Sequence, residues 1–471
     1  MEFLLIILNI FFVSFTDKPV QENLALSPRA IEQREKWNIE FDEMDYPVHA
    51  VYLDSLRAVG VKIHHTSRWF NGATCEMEDD LAEEVSTWTF VKNVELTRDG
   101  STSNPFFQPK RLLERESTQQ IVSAAAYVTD NQLNLYNLKP LHNAGYYGQG
   151  ILMTICDGGF YNANTLSCFR QSELELGHFD FTDDVDGFYG STGTHGTECL
   201  SSISGILENY QGAATQAKYY LMRSEENNTE SPKEMDNLVA ALEKSDSLGV
   251  NVFSVSLGYS EFDNSSWSIK KTTLDGKTHR ASIAATIAAR KGMLVCVAAG
   301  NEGDKTWKTI SVPADADSIL TVGAVSVNGT IAVFSSYGPS ADGRVKPEVC
   351  AVGYQTALID PNNNVVKSNG TSFATPLIAG MAATLWSALP SENAMQIRAR
   401  IIVSADRYDN PDFRRYGYGI PDAWKAYTMY AESCESVRDE ENTKAQKILH
   451  NGQIRIVRGG RIYTITGQLV E

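Results

Sequence analysis

SPKEMDNLVAALEKSDSLG, residues 231–249, runs directly into VNVFSVSLG, residues 250–258. Ser231 is placed to cap a helix, Pro232 suits its first position and Glu234 can complete a capping box. Gly249 is the stop. The run that follows reads as a strand. The same order returns at ASIAATIAARKG (281–292) and MLVCVAAG (293–300), and GILMTIC (150–156) is another such strand. Helix and strand alternate across residues 127–430, which predicts an α/β unit with a parallel sheet and helices on both faces. In that architecture the chemistry sits beyond the carboxyl ends of the strands.

Upstream, residues 17–100 mix periods. YLDSLRAVGV reads as an amphipathic helix ending at Gly60, and GATCEME and VKNVELT read as short strands, so a small α+β unit is expected. Residues 101–126 are a linker rich in Ser, Pro and charge. Residues 431–471 open with charge and finish with two alternating runs around Gly459-Gly460, read as a β-hairpin tail. The first 16 residues contain MEFLLIILNIFFVSF, too short to span a bilayer and placed where a signal peptide sits. Glu2 and the lack of a small-residue cleavage site depart from that pattern, and a buried N-terminal strand is the alternative.

The chain has 471 residues and a net charge of −17, with 41 Lys and Arg against 58 Asp and Glu. Such acidity argues against nucleic acid as a partner, and no later segment is apolar enough to be a transmembrane helix. Seven cysteines do not make a disulfide framework in a chain this long. Cys156, Cys199, Cys296 and Cys350 read as buried thiols, while Cys75, Cys168 and Cys434 are left as candidates for pairing. DFTDDVDGF holds Asp180, Asp183, Asp184 and Asp186 without EF-hand spacing, and is read as a solvated acidic loop. No histidine shows metal-ligand spacing, so no metal ligand is assigned.

Three segments carry residue types suited to acyl transfer. In ICDGGF, Asp157 ends a buried strand before two glycines. In GTHGTECLSSISGI, His195 stands near a helix start, with Gly196 and Thr197 allowing a close approach. In SNGTSFATPLIAGMAATLW, Ser372 opens a long apolar helix, at the positive end of its dipole, with Pro376 assigned to the first turn. A serine hydroxyl needs a base, and the base needs a carboxylate to fix its tautomer. The order Asp, His, Ser is one of the few in which this arrangement occurs. VCVAAGNEGD adds Asn301 past a strand end, where its amide could meet a developing oxyanion with the Ser372 N–H.

With these residues the chain resembles the subtilisin-like (S8) serine peptidases, of the kind found in Bacteroidetes-type bacteria. The signature Gly-Thr-Ser-x-Ala-x-Pro is met by Gly370 to Pro376, His-Gly-Thr by His195 to Thr197, and Ala-Gly-Asn by Ala299 to Asn301. The similarity covers roughly residues 145–425. One motif departs: Asp157-Gly158-Gly159 stands where the family has Asp-Thr-Gly or Asp-Ser-Gly. The resemblance implies a serine endopeptidase with Asp157, His195 and Ser372 as catalytic triad and Asn301 in the oxyanion hole. A catalytically weak or inactive peptide-binding protein is the alternative that the departure raises. It further implies that Ser256, Leu257 and Gly258 pair with an extended substrate, and that Ala298, Ala299 and Gly300 line the opposite wall. Its partners would be a protein or peptide substrate and its own N-terminal propeptide as inhibitor. No cofactor is required by it; structural calcium is common in the family, but no motif here supports it. A secreted or cell-envelope location is expected.

Overall fold

The computed structural model describes residues 8–19, 23–100, 127–169, 171–183, 187–190, 193–227 and 229–429, and the backbone of strands 446–450, 453–458 and 461–463. The central element is a seven-stranded sheet. Its order is Val349–Val352, Leu320–Val325, Leu294–Ala298, Val252–Val255, Leu152–Asp157, Lys218–Arg223, Glu175–Asp180. Every neighbouring pair is parallel. The middle strands are buried throughout, so their apolar runs do not alternate with polar residues. Met153 and Ile155 face one hydrophobic cluster with Leu200, Ile203, Leu377 and Ile378. Leu152 and Cys156 face another with Leu238, Leu242, Ala284 and Ala288. Helices His195–Ser204 and Thr371–Ala388 thus cover one face, and Lys233–Leu248 and Arg280–Arg290 cover the other. The α/β architecture expected from the alternation is the one found.

The N-terminal unit is a four-stranded antiparallel sheet in the order Lys62–Ser67, Gly72–Met77, Asn9–Phe15, Val91–Arg98. Helices Ala50–Ala58 and Asp79–Ser86 pack on it through Leu56, Ala82 and Val85. The apolar run expected to be a signal over residues 1–16 is corrected here. Asn9–Phe15 is an inner strand, paired on one side with Gly72–Met77 and on the other with Val91–Arg98. A strand covered on both faces has the composition of a signal core, which is why the run misled. Removing it would split the sheet, so the α+β unit begins within the first 16 residues, not at residue 17.

This unit sits on the Lys233–Leu248 helix through buried charge. Arg34 pairs with Asp45 of its own unit and Asp246 of the helix, both at 2.8 Å. Arg68 reaches Asp246 at 2.6 Å, and its N–H donates to Glu243 at 2.9 Å. Lys291 binds Asp45 at 2.8 Å, Arg280 binds Glu95 at 2.6 Å, and Trp69 joins the cluster of Leu238 and Leu242. The acidic loop expected to be solvated is partly recruited here: Asp183 pairs with His64 and Lys233, each at 2.8 Å, and with Arg98 at 3.4 Å. Asp184 and Asp186 lie outside the described residues.

Local details differ from the sequence reading in four more places. The helix begins at Lys233 with Pro232 as its cap residue. Glu234 accepts from the Ser231 N–H at 3.2 Å, while the Ser231 hydroxyl makes no capping bond. Pro376 lies inside the Thr371–Ala388 helix and not in its first turn. Cys75 and Cys168 are buried free thiols, and Cys434 lies outside the described residues. In the tail, strands 453–458 and 461–463 pair across the expected turn, and 446–450 adds a third antiparallel strand.

Candidate active site

Asp157 ends its strand fully buried. Its Oδ1 lies 2.7 Å from His195 Nδ1 and accepts from the Gly158 N–H at 2.8 Å. Its Oδ2 has no hydrogen-bond partner. The glycines nearby are required by contact. A Cβ on Gly196 would lie 2.4 Å from the Gly159 carbonyl oxygen and 2.8 Å from Asp157 Cβ, and one on Gly159 would lie 2.6 Å from Gly193 Cα. The helix that carries His195 can therefore approach the Asp157 strand end only without those side chains. Gly158 is different, since an added Cβ would make an ordinary 3.4 Å contact with Glu225.

His195 is the first residue of its helix, with an 18% exposed side chain. Burial disfavours its charged form, but the Asp157 carboxylate outweighs that and raises its pKa well above the usual imidazole value. Cys199, one turn on, places its Sγ 3.9 Å from both ring nitrogens. Asp157, His195 and Cys199 each bring a ligand-type atom within 4.8 Å of the others. Burial holds the thiol protonated, its pKa pushed up to about 11, so at neutral pH it acts as a hydrogen-bond donor, to the Ser372 carbonyl at 3.4 Å.

Ser372 is second in its helix and 1% exposed. Pro376 has no N–H to give the Ser372 carbonyl, and that oxygen instead accepts from the Ser256 hydroxyl at 2.8 Å and from Cys199. The main chain of the serine is thereby tied to the strand exit on one side and the histidine helix on the other. The Ser372 Oγ has no hydrogen-bond partner. The Asp157–His195 pair is formed, and the His195–Ser372 bond is not, as is common before substrate binds. A Cβ on Gly370 would come within 2.6 Å of Ser372 Oγ and 3.6 Å of Asn301 Nδ2, so this glycine leaves the space between hydroxyl and amide open. Asn301 Oδ1 accepts from the Thr371 N–H at 2.8 Å and its hydroxyl at 2.9 Å, which fixes which way the amide turns.

Ser256, Leu257 and Gly258 leave the end of strand Val252–Val255, and Ala298, Ala299 and Gly300 leave the end of the adjacent Leu294–Ala298. Of the six, Ser256, Leu257, Ala298 and Ala299 are buried and Gly258 is exposed. Gly300 has φ 107°, and its N–H donates to Thr371 Oγ1 at 3.1 Å. The sequence reading missed Thr371 as the residue orienting Asn301, although it stands inside the quoted motif. It also missed Cys199 against the imidazole, which the four-residue spacing from His195 on one helix could have signalled.

Residues 148–419 match the subtilase family (Peptidase S8), and residues 10–114 match the peptidase S8 propeptide domain of Bacteroidota. A thermostable alkaline protease of Halalkalibacterium halodurans is 27% identical over 321 residues, covering 67% of this chain and 79% of that protein. Subtilisin DY of Bacillus licheniformis is 30% identical over 281 residues, 59% of this chain and 90% of that protein. Among solved structures, the MycP3 protease from the type VII (ESX-3) secretion system superposes with a TM-score of 0.50 at 18% identity, covering 68% of this chain and 95% of that one. At that identity the likeness speaks for the fold alone.

Proposed function

Because the chain belongs to the subtilase family and is a serine-type endopeptidase, we propose that it cuts peptide bonds through an acyl-enzyme, with Ser372 as nucleophile. His195 takes the Ser372 proton and later gives it to the leaving amine, while Asp157 holds the imidazole's tautomer and balances the imidazolium. The Asn301 amide and the Ser372 N–H stabilise the tetrahedral oxyanion. Substrate adds as a strand along Ser256, Leu257 and Gly258, with Ala298, Ala299 and Gly300 lining the wall opposite. The observation that carries this reading is the 2.7 Å Asp157–His195 pair beside a helix start that bears Ser372. Deacylation follows: a water molecule, its proton taken by His195, attacks the acyl-enzyme carbonyl, and the proton passes to the Ser372 oxygen as the acid product leaves.

The N-terminal unit acts as the inhibitor in cis, a role its propeptide match supports. Action outside the cytoplasm or in the envelope rests on that match too, since the apolar run that suggested export is a strand. Among the described residues no helix is long and apolar enough to cross a membrane. A second reading, binding peptide without cutting, is favoured by the unpartnered Asp157 Oδ2 next to Gly158.

Hydrolysis of a quenched peptide by the chain after propeptide removal tests the proposal. Ser372→Ala is expected to lower the rate by about 10⁶, the scale known from a subtilisin. Equal rates for the two proteins would sink it.

A further inference from the structure

Three glutamates gather where the strand Lys218–Arg223 passes into the helix Lys233–Leu248. Glu225, Glu230 and Glu234 each bring a carboxylate oxygen within 4.8 Å of the others, with Glu234 buried and the other two half-buried. Burial first, and charge within the cluster next, raise the pKa of Glu225 and of Glu234. The basic side chains of this corner pair with other carboxylates. Lys233 binds Glu226, and Asp183 at 2.8 Å, while Arg98 approaches the same two at 3.6 and 3.4 Å.

An unsatisfied hydroxyl marks the same spot. Ser231 is 3% exposed, and its Oγ has no hydrogen-bond partner. Its N–H donates to Glu234 Oε2 at 3.2 Å, which turns the residue to the cluster. A buried hydroxyl left in this way calls for a water or an ion. The protein's own donors take only part of what the carboxylates can accept. The Tyr259 hydroxyl donates to Glu225 Oε1 at 2.6 Å, and the Glu226 N–H donates to Glu234 Oε1 at 2.9 Å. Each of those oxygens keeps a second acceptor site.

Oxygens around a calcium ion lie at about 2.3–2.6 Å, so two on opposite sides stand about 5 Å apart. The 4.8 Å span fits within that. Carboxylate and hydroxyl donors suit a hard cation, whereas a softer metal would draw on thiolate or imidazole. We propose that Glu225, Glu230 and Glu234, with the Ser231 hydroxyl and water, bind a divalent cation of calcium's size. None of the three acids lies in the 180–186 stretch. The ion ties the helix start to the segments around it. Glu225 adjoins Gly158 and holds Tyr259, and Glu230 is bonded to Asp263 through its N–H at 3.0 Å and its carbonyl at 2.9 Å.

The test uses the full chain carrying Ser372→Ala, to stop self-cutting, and freed of metal by a chelator. Calorimetric titration with Ca²⁺ should find one ion fewer once Glu230→Gln is added, and ions bound elsewhere cancel in that difference. Mg²⁺ should fill the site more weakly, because it gives up its waters reluctantly. Saturating Ca²⁺ should raise the melting temperature of the parent by about 5 °C. Glu230→Gln removes one of the repelling charges, so it should melt at or above the parent in chelator and below it in calcium. A glutamate that only supported the fold would lower both. Glu225→Gln must give the same count and the same reversal, which keeps the test open should Glu230→Gln fail to fold. Equal ion counts with and without the variants, or variants that melt lower in chelator and calcium alike, overturn the proposal. With Ser372 replaced throughout, neither outcome bears on the peptidase reading.

Discussion

In the cleft one carboxylate, Asp157, meets one imidazole at 2.7 Å, whereas beneath the N-terminal unit two guanidinium groups, Arg34 and Arg68, share Asp45, Asp246 and Glu243. Both regions bury charge. The cleft leaves Ser372 Oγ without a hydrogen-bond partner, which keeps it open to the imidazole. The docking face gives Arg34 two opposite charges and Asp45 three. Removing one member of such a cluster strands the others in a poor solvent, so it serves as a clamp.

A large effect is expected from breaking that contrast at the clamp. Arg34→Met, made in a Ser372→Ala background to prevent self-cutting, should weaken docking by about 3 kcal/mol, near the lower end for a disrupted buried pair. Hydrogen exchange in the Lys233–Leu248 helix should speed up accordingly. The exposed Arg57–Asp54 pair is the control, and Arg57→Met should stay within about 0.5 kcal/mol. Equal exchange in the two variants would show that the buried cluster is not a clamp.

In the cleft, Asn301→Ala should cost about 10²–10³ in kcat, the scale seen for one lost oxyanion donor in a subtilisin, with little change in KM. A loss confined to KM would move Asn301 from the transition state to ground-state binding.

The pH profile sharpens the same comparison. Asp157 raises the His195 pKa above the ordinary imidazole value of 6.5. As the proposed base, His195 works only when neutral, so a raised pKa moves the acid limb of kcat/KM upward, and activity should still be climbing above pH 6.5. A limb centred below that value would mean that burial wins over Asp157.

The smallest effect is at Gly158, where an added side chain meets only an ordinary contact. Gly158→Ser restores the hydroxyl usual in the family and should raise kcat/KM by a few-fold, about the net worth of one hydrogen bond. A loss of activity would show that the departure is needed here.

The parallel sheet was legible because strands such as Leu152–Asp157 are covered on both faces and so run apolar without interruption. That same property made Asn9–Phe15 ambiguous, since burial on both faces imitates an export signal and left the strand as only the alternative reading. The segments proposed to be catalytic stood out because glycine-bearing motifs at strand ends and helix starts are short and local, as Gly196 against Asp157 illustrates. Arg34 and Asp246, 212 residues apart, have no local pattern to announce them. The role of Pro376 was hidden for a related reason: the bond it removes matters only because Ser256 and Cys199, distant in the chain, take its place.

Intact-mass analysis after fluorophosphonate treatment of the matured chain is the most direct measurement. A single phosphonyl adduct that maps to Ser372, and is prevented by His195→Ala, is the expected result. An unmodified chain, or an adduct on any other residue, would contradict the account.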